Sequence, residues 1–281
     1  MSAFGLSATL LGCAAAAPPP AREAAEIAAA GSSTATAPAH GVAPSLATPP
    51  SSEADPSREA PPEASAPLPS PAAPLPLLRV AVPGDRPVLV VEGAASTSRP
   101  LLYFHGKCGD PEGFRAWAPA AYRVGTLISV LGDVSCKGGG RTRWSTNPWS
   151  LDARVRAAVA AVEAATGRRL DAEPIVFGYS QGALVAEALA ARWPERYPRV
   201  VLAAGPRAPR SPRLAELAAV LLVAGELDTR HHLIDAASKL DQRGVRARYL
   251  ELPGAKHGQY GPEAEARIAA GLDWLLGLEK L

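Results

Sequence analysis

A long N-terminal part of the sequence lacks aromatic side chains. Of its 5 Trp, 6 Tyr and 4 Phe residues, Phe4 alone precedes Tyr103. Residues 14–76 contain no aromatic residue but hold 21 Ala and 15 of the 29 Pro. Such a segment cannot bury enough apolar surface to offset the entropy lost when its chain is ordered. We therefore expect 14–76 to be a disordered tether rich in Pro, Ala and Ser.

Long apolar runs and a strong excess of one charge are also absent. No stretch of 18 consecutive apolar residues occurs, which argues against a membrane-spanning helix. The net charge is +2, divided into −4 over 1–76 and +6 over 77–281. This excess is too small for the length of 77–281 to indicate a nucleic-acid partner. The same 77–281 stretch is long enough to form one packed domain.

The first 13 residues, MSAFGLSATLLGC, are apolar and uncharged. Their ending, Leu-Leu-Gly-Cys, resembles the lipobox of bacterial lipoproteins, in which Cys13 would carry the lipid. This resemblance implies a signal peptide over 1–13, a membrane anchor at Cys13 and a location in the cell envelope. The Lys or Arg that usually opens such a signal is absent before Cys13, so a cytoplasmic protein with a disordered N-terminal segment is the alternative.

From residue 77 onward, short apolar runs alternate with helical patterns. The predicted strands cover 78–82, 87–92, 101–105, 126–131, 174–178, 199–205, 219–225 and 246–252, and the predicted helices cover 147–165, 181–192, 232–242 and 262–277. This alternation predicts an α/β domain with about eight strands in a mostly parallel sheet and helices on both faces. The turn between the first two strands is too short for a crossover, so that pair should be antiparallel.

Residues 178–182 read Gly-Tyr-Ser-Gln-Gly, between a predicted strand and a predicted helix. A Gly-x-Ser-x-Gly pattern in this setting indicates a nucleophile elbow. Glycines two residues before and after the serine permit the sharp turn that exposes its hydroxyl at the carboxyl edge of the sheet. We predict that Ser180 is the catalytic nucleophile.

An activated serine needs a base, and the base needs an acidic residue to orient it. In a protein with this elbow, the acid and the histidine follow the serine in the chain. Asp228 follows the predicted strand 219–225 and is the predicted acid. Glu226 is the first alternative, and Asp235 and Asp241 fall within the next predicted helix.

His257 follows the predicted strand 246–252, in a loop at the carboxyl edge of the sheet. A ring there can reach Ser180, so His257 is the predicted general base. His231 and His232 are adjacent and are more consistent with surface or helix-start positions. No third ligand stands at a usable spacing from that pair, so we predict no metal site.

An oxyanion hole needs two backbone N–H groups directed at the developing charge. Gln181 follows the nucleophile and should supply one of them. The second should come from the loop 105–110, HGKCGD, in which Lys107 is the predicted donor and Gly106 the alternative. His105 is expected to brace this loop and not to carry a proton.

The order HGKCGD, GYSQG, Gly-Glu-Leu-Asp and Lys-His-Gly resembles the α/β-hydrolase superfamily over 77–281. The first two motifs are most similar to the carboxylesterase and acyl-protein-thioesterase branch, followed by the dienelactone-hydrolase and polyester-depolymerase branches. The resemblance implies a Ser–His–Asp mechanism without metal or organic cofactor, acting on a small or polymeric ester or thioester. The thioesterase branch has Val-Pro after its acid where this chain has Thr229-Arg230, so the branch stays open.

Many members of this superfamily insert a cap before the acid, and here that span is only 205–218. We therefore expect no cap domain and an open site. Its wall should come from 137–149, with Tyr179, Trp144 and Trp149 as candidate substrate contacts. The alternative is that the two tryptophans pack against the following helix.

Cys108 and Cys136 each follow one of two strands that are neighbours in this fold. A disulfide between them is sterically reasonable and suits an exported protein. It would tie the oxyanion loop to the loop that carries the tryptophans. Two separate thiols are the alternative.

The sequence thus predicts a serine hydrolase that cleaves a carboxylic ester or thioester through an acyl-enzyme. One alternative is a non-catalytic envelope lipoprotein that uses the same fold as a binding module. Another is a peptidase or amidase, although we find no acidic residues placed to bind a substrate amine.

Overall fold

The structure is a computed structural model that describes residues 74–278. The predicted signal peptide 1–13, its lipidation at Cys13 and nearly all of the predicted tether lie outside the described residues. Within them, no helix is both long and apolar enough to cross a membrane.

The chain folds into alternating strands and helices. The strands are β1 (Leu78–Val80), β2 (Val88–Val91), β3 (Pro100–Phe104), β4 (Thr126–Val130), β5 (Val134–Ser135), β6 (Thr142–Arg143), β7 (Ile175–Tyr179), β8 (Arg199–Ala203), β9 (Ala219–Gly225) and β10 (Ala247–Leu252). The α-helices are α1 (Ala118–Val124), α2 (Pro148–Thr166), α3 (Gln181–Arg192), α4 (His231–Asp241) and α5 (Ala264–Leu276). Two 3₁₀ helices cover Gly113–Trp117 and Pro212–Glu216.

Eight strands form one sheet in the order β1-β2-β4-β3-β7-β8-β9-β10. Strands β4, β3, β7, β8, β9 and β10 are parallel, whereas β2 is antiparallel to both β1 and β4. The predicted strand count, the mostly parallel pairing and the antiparallel opening pair are confirmed. The small β5–β6 hairpin stands apart as a separate two-stranded sheet.

Both faces of the sheet are buried, which explains why its strands read as continuous apolar runs. Along β3, Leu102 and Phe104 point to one core, and Leu101 and Tyr103 point to the other. Helices α2, α3 and α4 cover the first core, and α1 and α5 cover the second. The prediction of helices on both faces is therefore confirmed.

Helix α2 illustrates how local sequence sets the element boundaries. The Asn147 side chain accepts hydrogen bonds from the backbone N–H groups of Trp149 and Ser150, and Gly167 ends the helix in a left-handed conformation. Between β8 and β9, by contrast, the chain forms only the 3₁₀ helix Pro212–Glu216. The described part of the chain therefore contains no cap domain, and the carboxyl edge of the sheet stays open.

Candidate active site

The turn between β7 and α3 is the sharp connection that the Gly-x-Ser-x-Gly pattern predicts. Ser180 has φ 53° and ψ −114°, a conformation that non-glycine residues rarely adopt. A Cβ placed on Gly178 would lie 2.1 Å from the carbonyl oxygen of Gly182, and one placed on Gly182 would lie 2.0 Å from that of Phe104. Both positions require glycine because the backbones approach so closely.

Three predicted residues meet at the carboxyl edge of the sheet. The Nε2 atom of His257 lies 3.1 Å from the Oγ atom of Ser180, and its Nδ1 atom lies 2.8 Å from Oδ2 of Asp228. Ser180 follows β7, Asp228 follows β9, and His257 follows β10. Parallel strands end at the same edge, so residues distant in the chain come into hydrogen-bond contact.

The partners of His257 define its tautomer. A carboxylate only accepts hydrogen bonds, so Nδ1 of His257 must donate to Asp228. In the neutral ring Nε2 then carries the lone pair and accepts from the Ser180 hydroxyl. The other carboxylate oxygen of Asp228 accepts the backbone N–H of Thr229 at 2.7 Å, which holds the carboxylate in place.

Burial differs between the acid and the base. The Asp228 side chain is 10% exposed, whereas the His257 side chain is 52% exposed. The acid is thus shielded, while the imidazole faces the space where a substrate would bind. This arrangement suits a proton carrier held by a fixed carboxylate.

The other acids considered from the sequence lie elsewhere. Glu226 accepts the backbone N–H of Gly254 through Oε2 at 2.9 Å. Asp235 and Asp241 belong to α4. The structure therefore joins Asp228, and none of these three, to His257.

Tyr179 supports the histidine loop from within the elbow. Its hydroxyl accepts the backbone N–H of Gly258 at 2.6 Å, and its ring centroid lies 5.7 Å from that of His257. Burial is the main cause that raises the pKa of Tyr179, so the phenol stays protonated at neutral pH. The sequence indicated Tyr179 as a pocket residue, and the structure places it in the lining of the cleft at Ser180. No sequence pattern signals its contact with Gly258.

The two predicted oxyanion donors lie next to the serine. Within the described residues, the backbone N–H groups of Lys107 and Gln181 have no hydrogen-bond partner. Gly106 runs beside the nucleophile, since a Cβ placed there would lie 3.3 Å from Cβ of Ser180. The N–H of Gly106 likewise has no partner among these residues, so hydrogen bonding does not decide between Lys107 and Gly106 as the second donor. Either one, together with the N–H of Gln181, gives the number of donors that an oxyanion hole requires.

His105 is fully buried beneath this loop. Its Nδ1 lies 2.7 Å from the Gly106 carbonyl oxygen, and its Nε2 accepts the Gly132 N–H at 3.1 Å. The Thr142 hydroxyl lies 3.0 Å from the same Nε2. Burial lowers the pKa of His105, which favours the neutral ring. These contacts are those of a residue that braces the loop.

The two tryptophans do not line the cleft at Ser180, contrary to the prediction. Trp144 is 3% exposed, and its Nε1–H donates to the His105 carbonyl at 2.7 Å. Its backbone N–H donates to the side-chain carbonyl of Gln181 at 3.1 Å. Trp149 is 59% exposed and packs against Trp193. Trp144 is therefore core, and Trp149 is a surface residue at the start of α2.

The predicted disulfide between Cys108 and Cys136 is present. Cys108 lies beyond the end of β3, and Cys136 directly follows β5 in the segment that continues from β4, the parallel neighbour of β3. Their Cα atoms lie 6.0 Å apart. The backbone N–H of Cys108 also donates to the Thr142 carbonyl at 2.9 Å. The oxyanion loop is thus fastened to the β5–β6 hairpin by a covalent bond and a backbone hydrogen bond.

Two open clefts flank His257. The first has a volume of about 330 Å³. Its lining comprises Tyr103, Gly106, Lys107, Gly109, Asp110, Gly113, Arg141, Tyr179, Ser180, His257, Gly258 and Tyr260. The second has a volume of about 370 Å³ and is lined by Ala204, Gly205, Pro206, Asp228, Thr229, His232 and His257. Open space therefore lies on both sides of the His257 ring, and Ser180 lines the first cleft.

The structure gives no metal cluster near this edge. Among the described residues, no group of three or more His, Cys, Asp and Glu side chains could hold an ion. Nε2 of His232 contacts the Gly205 carbonyl oxygen at 2.8 Å, and His231 begins α4. Both histidines thus occupy the helix start that the sequence suggested.

No family model matches the sequence, and a comparison with curated proteins finds no match. Solved structures do resemble this domain. TT1662 from Thermus thermophilus is 19% identical with a TM-score of 0.53, and the match covers 72% of this chain and 98% of that one. Esterase PE8 is 21% identical with a TM-score of 0.51, covering 70% and 100%. A carboxylesterase from Mesorhizobium loti is 20% identical with a TM-score of 0.51, covering 71% and 99%. The described domain has the α/β-hydrolase fold.

Proposed function

We propose that this protein is a serine hydrolase that cleaves carboxylic esters, or thioesters, through an acyl-enzyme. The observation that carries the proposal is the continuous hydrogen-bonded chain from Ser180 Oγ through His257 to Asp228. That chain begins at a serine held in a strained elbow at the start of α3. A helix N-terminus directed at this point also favours developing negative charge.

The acylation step follows from the hydrogen-bond directions. Nε2 of His257 takes the hydroxyl proton of Ser180 as Oγ attacks the substrate carbonyl carbon. The carbonyl π electrons move onto oxygen, where the N–H groups of Lys107 and Gln181 stabilise the negative charge. When the tetrahedral intermediate collapses, the imidazolium returns its proton to the departing alcohol or thiol, and the acyl group stays on Oγ.

Deacylation repeats these transfers with water in place of the serine. Nε2 of His257 accepts a proton from the water that attacks the acyl carbon, and Ser180 Oγ leaves with that proton. The Asp228 carboxylate keeps the ring oriented and stabilises its charged form in both halves. The products are a carboxylic acid and the free enzyme, and no organic cofactor or metal is needed for any step.

The open clefts bear on the substrate. Without a cap over Ser180, accessible or bulky esters suit the site better than substrates that must be fully enclosed. Two of the structurally similar proteins are described as an esterase and a carboxylesterase, which supports the same reaction here. Small-molecule and polymeric esters are both compatible with clefts of this size.

We also propose that the chain is a lipoprotein of the cell envelope. The Leu-Leu-Gly-Cys ending at Cys13 supports lipidation there, and 14–76 has the composition of a solvated spacer. Mass spectrometry of the full chain, purified from a bacterial host, should find a lipid-modified Cys13 at the N-terminus. An unmodified, uncleaved N-terminus in the soluble fraction would favour the cytoplasmic alternative.

Fluorophosphonate labelling of the full chain tests the hydrolase proposal. The probe reacts with activated serines, so the labelled peptide should contain Ser180, and labelling should be lost in Ser180→Ala and His257→Ala. Ser145→Ala is the matched control, because Ser145 lies outside the hydrogen-bonded chain, and it should label like the wild type. Absence of label on a protein shown to be folded by circular dichroism would instead favour a non-catalytic binding module.

Hydrolysis assays then define the bond that is cleaved. A panel of 4-nitrophenyl esters, thioesters and 4-nitroanilides should show turnover of the esters or thioesters that depends on Ser180. Turnover of anilides at comparable kcat/KM would favour the peptidase or amidase alternative.

A further inference from the structure

The cleft at Ser180 carries two cations without acidic partners. Other arginines of the described domain form ion pairs with carboxylates. Examples are Arg123 with Asp273 and Arg154 with Asp85. Lys107 and Arg141 both line the cleft, and within residues 74–278 neither has a carboxylate within ion-pair distance. Both are exposed to solvent and available to a ligand.

Arg141 is held at the cleft by several contacts. Its guanidinium donates to the carbonyl of Cys108 at 3.3 Å, one residue beyond the predicted oxyanion donor Lys107. Its own carbonyl accepts the N–H of Cys136 at 3.0 Å. The disulfide between Cys108 and Cys136 joins these same two segments. The Arg141 guanidinium therefore belongs to the β5–β6 hairpin, which the disulfide links covalently to the oxyanion loop.

The surrounding charges reinforce this position. The hairpin 134–143 contains Lys137, Arg141 and Arg143 and no Asp or Glu. One carboxylate, Asp110, lines the cleft, and its Oδ1 accepts the N–H of Glu112. The cleft lining thus carries two cations and one carboxylate, and this net positive charge raises the local concentration of anionic ligands.

We propose that Arg141 is a specificity-determining residue that binds a carboxylate on the substrate. The preferred substrates would be esters that carry a free carboxylate, such as half-esters of dicarboxylic acids or esters of hydroxy acids. This inference rests on the proposed ester hydrolysis and deepens it by naming the substrate class. A guanidinium suits the role because its planar N–H fork matches a carboxylate.

Matched ester pairs test the proposal on the full-length protein. One pair is the mono-4-nitrophenyl ester of suberic acid and its methyl-capped counterpart, which differ in one charge on the acyl side. The second pair is 4-acetoxybenzoate and its methyl ester, which place the charge on the leaving group. For at least one pair, the wild type should favour the anionic member in kcat/KM at low salt. The preference should shrink in 0.5 M NaCl, because exposed charges are screened.

Variants assign the preference to Arg141. Arg141→Gln should lower the anionic-to-neutral ratio by about fivefold, the scale of one exposed ion pair, and Arg141→Lys should retain part of it. Arg243→Gln removes an equal charge from an exposed turn outside the cleft and should leave the ratio unchanged.

Two further outcomes separate the inference from the proposed function. An equal ratio in the wild type and Arg141→Gln, with both esters hydrolysed, would overturn the inference while leaving ester hydrolysis intact. If none of the four esters is hydrolysed and no fluorophosphonate label is found, both proposals are overturned.

Discussion

Nε2 of His257 lies 3.1 Å from Oγ of Ser180 although 77 positions separate the two residues. The elbow itself fixes the histidine loop, because the hydroxyl of Tyr179 accepts the N–H of Gly258. The residue before the nucleophile therefore contacts the residue after the base. The two segments are joined directly, in addition to being placed at the same edge of one sheet.

Asp228→Asn should lower kcat for ester hydrolysis by roughly 10³- to 10⁴-fold. The amide can present its N–H₂ to Nδ1 of His257, which favours the wrong tautomer and removes the charge that stabilises the imidazolium. Initial rates with a 4-nitrophenyl ester measure the change, and thermal denaturation checks that the fold persists.

Glu226→Gln is the matched control for that experiment. Glu226 is two residues away but accepts the N–H of Gly254, so its amide should keep activity within a few-fold of the wild type. If Glu226→Gln were the variant that lost activity, the assignment of the acid would be wrong.

Tyr179→Phe should lower kcat by about fivefold, since loss of a hydrogen bond worth about 1 kcal/mol frees the loop that carries His257. The apolar ring stays, so the wall of the cleft is kept and KM should change less than kcat. Steady-state kinetics on one ester give this split. An unchanged kcat with a raised KM would show that the tyrosine acts on the substrate and not on the loop.

Most of the fold could be predicted because each buried strand is an apolar run and each long helix has a periodic apolar face. Helix α3 matches its predicted bounds, since Ser180 and Pro194 mark its ends clearly. Helix α1 and the β5–β6 hairpin were not predicted. Helix α1 has only seven residues, and β5 and β6 have two each, so none shows enough periodicity to identify it.

The site could be predicted where chain order and strand ends fix a residue's place. Each of the three residues Ser180, Asp228 and His257 follows a different strand. The Gly-x-Ser-x-Gly motif identifies Ser180 directly. The placement of Trp144 could not be predicted, because an indole suits a core as well as a pocket. Trp144 can be buried because its Nε1–H donates to the backbone carbonyl of His105. No sequence pattern indicates that contact.

Reduction of the Cys108–Cys136 bond should lower the free energy of unfolding by about 3 kcal/mol, as the bond closes a loop across a sequence separation of 28. Urea denaturation with and without reductant measures this difference. The Cys136→Ser variant should match the reduced wild type and should not respond to reductant.

Thiol alkylation under denaturing, non-reducing conditions provides the direct chemical check on the same bond. Neither Cys108 nor Cys136 should be modified in protein exported to an oxidising compartment. Quantitative modification of both cysteines in that material would contradict the disulfide.

The stability of the domain should fall as the pH drops below about 6.5, the ordinary pKa of histidine, because of His105. Burial lowers the pKa of this ring in the folded state, although Asp110 and the Gly106 carbonyl act in the opposite direction. The unfolded chain therefore binds a proton that the folded chain excludes. The stability from the neutral ring is complete above the unfolded pKa and declines as the pH falls towards the folded pKa, by at most about 1.4 kcal/mol per pH unit.

Urea denaturation at pH 7.5, 6.5 and 5.5 should show this slope in the wild type and in the surface control His231→Gln, and a smaller slope in His105→Gln. Equal slopes in all three proteins would show that another group governs the acid response.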